Sequence, residues 1–235
     1  MAAHNSVVSA ERKSVSQCVL ARRSVRAFLP DELDRATVEE LLELAARAPS
    51  GGNLQPWHVD VLTGDALAAL KVDAQATFAA GPAGEGLEFT IYPSPLPEPY
   101  RSRRFDSGEA LYATLDMDRD DKTARLAQFA RNYDLFGAPV GLFFSIDRLF
   151  DRPQWAHLGM FMQNVMLLAE ERGLATCPQE AWAAVHETVA RHLQLPADRI
   201  FYCAMALGKA DPAAPVNRLL TDRSPLRAFA SLRGF

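Results

Sequence analysis

Three arginines and a serine lie within one short segment, residues 22–26 (R-R-S-V-R). The guanidinium groups of Arg22, Arg23 and Arg26 donate paired, charge-assisted hydrogen bonds, and the hydroxyl of Ser24 adds a further donor. Residues 17–21 are compatible with a helix that ends just before them. The segment is therefore a candidate phosphate site. The alternative is structural, because arginines at a helix C-terminus also interact favourably with the helix dipole.

A second segment, residues 48–57 (A-P-S-G-G-N-L-Q-P-W), joins paired glycines to short polar side chains. Glycine allows a ligand to approach the backbone closely. Ser50, Asn53 and Gln55 carry hydroxyl and amide groups that can hydrogen-bond the edge of a heteroaromatic ring. The same residues also suit an ordinary turn between a helix and a strand. The segment is a candidate ligand loop, with a plain turn as the alternative.

Two more segments complete a pattern that runs from about residue 16 to about residue 228. One is residues 173–182 (G-L-A-T-C-P-Q-E-A-W), and the other joins residues 206–208 (A-L-G) to Pro215, Asn217 and residues 223–226 (R-S-P-L). In this order and spacing, the four segments resemble the nitroreductase family of FMN-dependent NAD(P)H oxidoreductases. The first two segments together make the resemblance specific.

The resemblance implies which residues hold FMN. Those around the phosphate and the pyrimidine side of the ring would be Arg22, Arg23, Ser24 and Arg26, with Arg223 as a second phosphate-binding arginine. Those of the loop that reaches the flavin, often from the neighbouring subunit, would be Pro49, Ser50, Gly51, Asn53 and Gln55. Those of the segment whose backbone amides face the reactive edge of the isoalloxazine would be Pro178, Gln179, Glu180 and Ala181, the last in place of a glycine in many relatives.

The resemblance also implies a ping-pong reaction. NADH or NADPH would stack over FMN, transfer a hydride and leave, and a nitroaromatic, a quinone or a similar electron-poor acceptor would take its place. The glycines at positions 81, 84 and 86 lack the spacing of a dinucleotide fingerprint, so no separate nicotinamide site is expected. The alternatives are a reductive dehalogenase of the same fold, a low-turnover flavin-binding or sensing protein and, more remotely, a proline-rich module that binds an SH3-type domain.

Residues 81–118 are predicted to form an irregular, lid-like insertion. Prolines at positions 93, 95, 97 and 99 predict a polyproline-like extension. Arg101, Arg103 and Arg104 follow. The insertion is either a solvated surface loop or a cover over a site. Tyr100, Arg103 and Arg104 are candidates for docking a substrate carboxylate or the phosphate of the nicotinamide cofactor.

Periodicity predicts alternating helices and strands. Thr37 and Glu40 have the capping-box spacing and would start a helix that ends at Pro49. Further helices are predicted over residues 65–78, 122–136, 157–172 (ended by Gly173) and 183–193, and strands over residues 57–63, 138–146 and 200–207. The helix over 157–172 is apolar nearly all round, which suits a core or a subunit interface.

These elements predict a layered α+β protein. The resemblance makes it one nitroreductase-like domain over residues 1–235, with a central, mostly antiparallel sheet flanked by helices and a C-terminal extension over about 212–235. It also implies an intertwined homodimer with FMN at the interface.

Composition and charge exclude several classes of protein. With 235 residues, 49% hydrophobic and 23% charged, and a net charge of −4, the chain is neither disordered nor a globally basic nucleic-acid binder. Its longest uncharged stretch, residues 153–169, is too short to span a membrane. Cys18, Cys177 and Cys203 are scattered and odd in number, which favours the reducing cytoplasm. Cys177 is expected to be a buried bystander, His186 and His192 surface residues, and no metal site is predicted.

Overall fold

The computed structural model describes residues 13–81 and 83–235. Its centre is a sheet of four strands in the order β1-β2-β4-β3, with every neighbouring pair antiparallel. The strands are β1 (His58–Leu62), β2 (Val140–Asp147), β3 (Ala175–Gln179) and β4 (Arg199–Gly208). The predicted antiparallel sheet is confirmed. Strand β3 is not predicted by periodicity, because A-T-C-P-Q is short and contains a proline.

Seven α-helices surround the sheet in the described residues. They are α1 (Val15–Ala21), α2 (Arg35–Ala45), α3 (Gly64–Ala80), α4 (Tyr100–Ala113), α5 (Lys122–Ala130), α6 (Arg152–Glu171) and α7 (His186–Leu193). Short 3-10 turns cover Gly51–Asn53, Arg131–Gly137, Glu180–Val185, Pro215–Arg218 and Leu226–Ala228. Within these residues, no helix combines the length and apolar character needed to cross a membrane.

The sheet is buried on both faces. Phe143 of β2 belongs to a core formed with α3, α7 and the 3-10 turns, while its neighbours Leu142 and Phe144 belong to a second core formed with α2 and α6. A strand that is covered on both sides reads as a continuous apolar run. This burial explains why β2 and β4 are evident in the sequence without alternation.

Helix α6 begins at Arg152, upstream of the predicted start at His157. Asp151 and Gln154 form a capping box, and a proline lies in the first turn, where its missing N–H costs no helical hydrogen bond. The predicted end is confirmed, since Gly173 follows the helix with a left-handed φ of 70°.

The predicted start of α2 at Thr37 is wrong, because the helix begins at Arg35. The N-cap is Asp34, whose carboxylate accepts the Thr37 N–H at 2.8 Å and the Thr37 hydroxyl at 2.7 Å. Both residues have capping side chains, and the aspartate three positions earlier takes the role.

Two other predicted helices are partly wrong. The helix over 122–136 ends at Ala130 and continues as a 3-10 turn, in which Leu135 and Phe136 have left-handed φ angles of 51° and 54°. The helix over 183–193 is a 3-10 turn up to Val185, followed by α7. Apolar spacing does not distinguish these turns from an α-helix, because both bury one stripe of side chains.

The insertion over 81–118 is not irregular throughout, because it contains α4. Residues 91–99 form bends and a turn instead of the predicted polyproline extension. Helix α4 has no buried residue and is attached through Arg125 of α5, which pairs with Glu109 at 2.5 Å and lies 4.3 Å from the ring centroid of Tyr112. The helix therefore sits on the surface, held from one side.

The N-terminal root of the insertion is fixed to the segment that follows β3. The Glu85 N–H donates to the Ala184 carbonyl at 2.8 Å, and the Glu85 carboxylate accepts from the N–H and the hydroxyl of Thr188 at the start of α7. At Gly84, a Cβ atom would lie 2.1 Å from the Ala184 oxygen, and φ is +59°. Only glycine fits there.

Replacement of this glycine is expected to destabilise the protein. Gly84→Ala forces the turn away from Ala184, at a cost of about 1–3 kcal/mol, or roughly 2–10 °C in melting temperature. Gly86→Ala is the matched control, because Gly86 also has a positive φ, of 92°, but nothing lies within 4 Å of its Cβ position. Thermal denaturation followed by circular dichroism measures both. An equal or larger loss for Gly86→Ala would contradict the close approach.

Candidate functional site

The arginine segment runs alongside the edge strand β3. Helix α1 ends at Ala21, and Ser24 then forms a parallel bridge with Thr176. The N–H of Val25 donates to the Thr176 carbonyl at 3.0 Å. The fold therefore brings the first and third sequence segments together, although about 150 residues separate them along the chain.

The side chain of Asn217, which belongs to the fourth segment, joins that segment to the arginine segment. Its Oδ1 accepts the Arg26 N–H at 2.8 Å, and its Nδ2 donates to the carbonyls of Ala27 at 2.8 Å and Asp211 at 2.9 Å. The residue is 7% exposed. One buried amide thus satisfies three backbone groups and holds Arg26 against the segment that leaves β4.

The arginines of this segment carry uncompensated positive charge. Within residues 13–81 and 83–235, no carboxylate lies within ion-pair distance of Arg22, Arg23 or Arg26. The guanidinium of Arg26 donates to the Ser24 carbonyl at 3.3 Å. Arg22 and Arg26 are half-buried, which lowers the screening of their charge. This donor set suits a phosphate group.

The buried thiol of Cys177 lies beside this charge. Burial raises the pKa of Cys177 to about 11, while Arg26, Ser24 and Arg22 act in the opposite direction and offset only part of the effect. A thiol reacts as its thiolate. Cys177 is therefore neutral at neutral pH, which fits the expected bystander.

The third segment is anchored through residues that the sequence does not reveal. Gln179 is 3% exposed, and its Nε2 donates to the backbone and side-chain oxygens of Asn132 at 2.9 and 3.1 Å. The Tyr133 hydroxyl donates to the Ala181 carbonyl at 3.1 Å. Asn132 and Tyr133 belong to the 3-10 turn Arg131–Gly137, which lies within the predicted helix over 122–136. No periodic pattern in the sequence marks them. They fix the backbone of the segment from behind.

Glu180 is held in the same way. Its carboxylate accepts the Tyr202 hydroxyl at 2.9 Å. The Tyr202 ring packs with Trp155 of α6 at 5.3 Å and with Phe89 of the insertion at 5.8 Å between ring centroids. The Nε2 group of Gln179 and the carboxylate of Glu180 are thus both engaged inside the protein.

Two buried oxygen atoms close to these residues have no hydrogen-bond partner among the described residues. They are Thr176 Oγ1 and Gln179 Oε1. Buried polar atoms in native proteins are nearly always paired, and an unpaired one calls for a water, an ion or a ligand. Both lie in the strand that the arginine segment borders.

The loop of residues 49–55, called the glycine loop below, lies against α6. Gly52, Asn53 and Gln55 have left-handed φ angles of 60°, 57° and 49°. Ser50 stabilises this path by accepting the Gln55 N–H on its Oγ at 3.0 Å. Residues 51–55 are exposed. The hydrogen bonds of the loop lead to itself and to α6, and none reaches the arginine segment of the same chain.

Other predicted residues are not brought to the site within this chain. Arg223 is exposed and donates to its neighbours, to the Thr221 hydroxyl at 2.8 Å and the Asp222 carbonyl at 2.9 Å. It makes no hydrogen bond to the arginine segment, which the structure also describes, so its predicted role stays a prediction.

The substrate candidates lie on α4. Tyr100 is 56% exposed, and the guanidinium of Arg103 lies 5.8 Å from its ring centroid. Arg104 lies 4.4 Å from the ring centroid of Tyr92. Arg101 is paired with Glu98 at 2.7 Å. Their role toward substrate also stays a prediction.

The remaining candidates do not form a second centre. His186 and His192 are half-buried instead of at the surface, and His192 lies 2.8 Å from Asp73. Across the described part of the chain, no group of three or more His, Cys, Asp or Glu side chains is arranged to hold a metal. A cavity of about 630 Å³ between α3 and the start of β2 contains none of the predicted site residues.

The fold is that of an α+β protein in which three arginines and a serine lie at the edge of the sheet. The model of the nitroreductase family matches residues 19–209. The chain belongs to the nitroreductase family, and the predicted family and fold are confirmed.

Named relatives match nearly end to end. A 4-nitrobenzoate reductase of Pseudomonas putida is 38% identical over 220 residues, which is 92% of this chain and 94% of the relative. A nitrobenzene nitroreductase of Ectopseudomonas oleovorans is 35% identical, covering 92% and 96%. Among solved structures, the FMN and NADPH-dependent nitroreductase NfnB from Sphigopyxis sp. strain HMH is 48% identical, with a TM-score of 0.92 over 95% of this chain and 100% of that one.

Removal of the Asn217 amide is expected to loosen the site. Asn217→Ala leaves three backbone groups without partners, at about 1 kcal/mol each, or roughly 6–12 °C in melting temperature. Arg218→Ala is the control, since Arg218 is the exposed neighbour and its change is expected to be nearly neutral. Equal melting temperatures for the two variants would contradict the proposed importance of the amide.

Proposed function

We propose that this chain, as a single domain over residues 1–235, is an FMN-dependent NAD(P)H oxidoreductase that reduces nitroaromatic compounds. The observation that carries the proposal is the candidate anion site: among the described residues, arginines without carboxylate partners lie beside a buried strand with two unpaired oxygens, in a family whose solved relatives include FMN-dependent enzymes. When bound, FMN supplies the redox chemistry, which is hydride acceptance from the nicotinamide and electron delivery to the acceptor.

The residues present fit FMN. Arg22 and Arg26 would hold its phosphate through charge-assisted bonds, with Arg23 and Ser24 as further donors and Arg223 completing the charge. The segment over 178–181 would present backbone groups to the reactive edge of the ring. Its anchoring by Asn132, Tyr133 and Tyr202 keeps it fixed while a ligand binds, which reduces the entropy lost on binding.

The proposal includes a homodimer. The glycine loop is exposed and hydrogen-bonds to α6 of its own chain, which leaves its Pro49, Ser50, Asn53 and Gln55 groups available to a flavin held by the partner subunit. Apolar side chains are also exposed on α1, where Val15 is 75% and Leu20 85% exposed, and along the C-terminal residues, where Phe229 is 72% exposed. A second copy of the chain would cover such surfaces.

The proposed electron donor is NADPH. The Sphigopyxis relative is described as NADPH-dependent, and NfnB of Mycobacterium smegmatis, 29% identical with a TM-score of 0.87, was solved with NADPH. The proposed acceptors are small nitroaromatics, since the curated relatives act on nitrobenzoate and nitrobenzene. The proposed location is the cytoplasm, consistent with Cys18, Cys177 and Cys203, which are unpaired and buried.

Anaerobic absorbance spectroscopy tests the function directly. The purified protein is expected to carry flavin absorbance, to be bleached by NADPH, and to recover its colour when 4-nitrobenzoate or nitrobenzene is added. A protein that never takes up FMN overturns the proposal. So does a bleached flavin that nitroaromatics do not reoxidise, and this second result would favour a sensing protein or, if a halogenated aromatic restores the colour, a dehalogenase.

The arginines of α4 are expected to affect substrate binding and not flavin binding. Arg104→Gln or Arg103→Gln should raise the Michaelis constant for 4-nitrobenzoate or NADPH about 10- to 100-fold, the value of one charge-assisted bond, while FMN stays bound. Arg101→Gln is the matched control, since Arg101 is already paired with Glu98.

Arg26→Gln should show the reverse pattern, with FMN released and the Michaelis constants of the remaining holoenzyme little changed.

Kinetics that are unchanged in the Arg103 and Arg104 variants with every acceptor and with both nicotinamide cofactors would contradict the role of α4.

A further inference from the structure

We infer that His157 of α6 is a positioning residue that fixes the glycine loop for FMN. The inference rests on the proposed function, in which that loop contacts the flavin. It is carried by one contact, in which the N–H of Gly51 donates to Nε2 of His157 at 3.3 Å. This hydrogen bond joins the loop to a helix residue that lies 106 positions further along the chain.

His157 belongs to a stripe along one face of α6. His157, Phe161 and Asn164 have the spacing i, i+4 and i+7, which aligns side chains on a helix. Phe161 stacks on Trp57, just after the loop, with ring centroids 5.0 Å apart and an interplanar angle of 9°. Asn164 donates to the carbonyl of Ala45, at the end of α2, at 3.2 Å. The helix thus holds the chain before the loop, within it and after it.

The contact matters because it fixes the loop to α6, whereas the other hydrogen bonds of residues 50–55 stay within the loop. Residues 51–55 are exposed, and Gly52, Asn53 and Gln55 are left-handed. Such a path is rarely populated by an isolated chain, and surrounding contacts must determine it. The imidazole also packs against the loop backbone, since a Cβ at Gly51 would lie 3.4 Å from Cε1 of His157.

The chemistry of the contact requires a neutral imidazole. Because Nε2 accepts the Gly51 N–H, the ring proton lies on Nδ1. This Nδ1 is buried, and no described residue accepts from it. Among the described residues, the one hydrogen bond of the ring is therefore the one that it accepts from Gly51.

Two variants separate the acceptor from the bulk of the side chain. His157→Gln keeps a hydrogen-bond acceptor at a similar reach, whereas His157→Leu keeps an apolar side chain without one. FMN retention is measured by the rise in flavin fluorescence when holoprotein is diluted. The loss of one backbone hydrogen bond is expected to weaken FMN binding about 3- to 10-fold in His157→Leu, and within about twofold of wild type in His157→Gln.

A second measurement does not depend on flavin. Hydrogen exchange of the Gly51 amide in protein freed of FMN is expected to be faster in His157→Leu than in wild type, and close to wild type in His157→Gln. His192→Leu on α7 is the matched control, because it removes a half-buried histidine remote from the loop. It is expected to change neither measurement.

The outcomes are distinct. Equal FMN retention and equal Gly51 exchange in wild type and His157→Leu overturn the inference while leaving the proposed function standing. Equal losses in both His157 variants, with a fall in melting temperature, also overturn it, because they indicate bulk packing. A wild-type protein that binds no FMN overturns the proposed function, and the inference about flavin with it.

Discussion

The pairing of residues 24–25 with the edge of β3 is the contact on which the site depends. In the order β1-β2-β4-β3, strand β3 has one edge without a strand neighbour. An edge strand presents unpaired backbone groups that must be covered. The segment after α1 covers them through Ser24 and Val25, so the arginines lie at that edge because the backbone needs a partner there. Asn217 then fixes Arg26 and Ala27, so the contacts that cover the sheet edge also position the proposed anion site.

The two faces of the sheet contribute different parts. On one face, α6 carries the glycine loop through a stripe of side chains. On the other, the 3-10 turn after β3 and α7 hold the root of the insertion through Glu85 and Thr188. Phe89 then connects the insertion to Trp155 at the start of α6. The glycine loop and the insertion are thus each attached to the helices that flank the sheet, and the sheet is buried on both sides.

The sequence predicts the long elements with a clear hydrophobic pattern and misses the short elements without one. Strands β2 and β4 are continuous apolar runs, and α3 and α6 are long helical segments, so all four are recognisable from the sequence. Strand β3 and the 3-10 turn over 131–137 are short and are determined by tertiary hydrogen bonds, such as those of Asn132 to Gln179. Asn132, Tyr133 and Tyr202 support the site without belonging to any motif. The junction between residues 24 and 176 follows from strand order, which local patterns do not encode.

The burial of Cys177 has a consequence for an enzyme that makes reactive products. Two-electron reduction of a nitroarene gives a nitroso compound, which is an electrophile that thiolates attack. Cys177 lies directly under the arginine segment, yet it is 2% exposed and its pKa is raised to about 11 by burial. Its thiol is therefore both shielded and protonated at neutral pH. Burial in this way protects Cys177 from covalent modification by a reactive nitroso product.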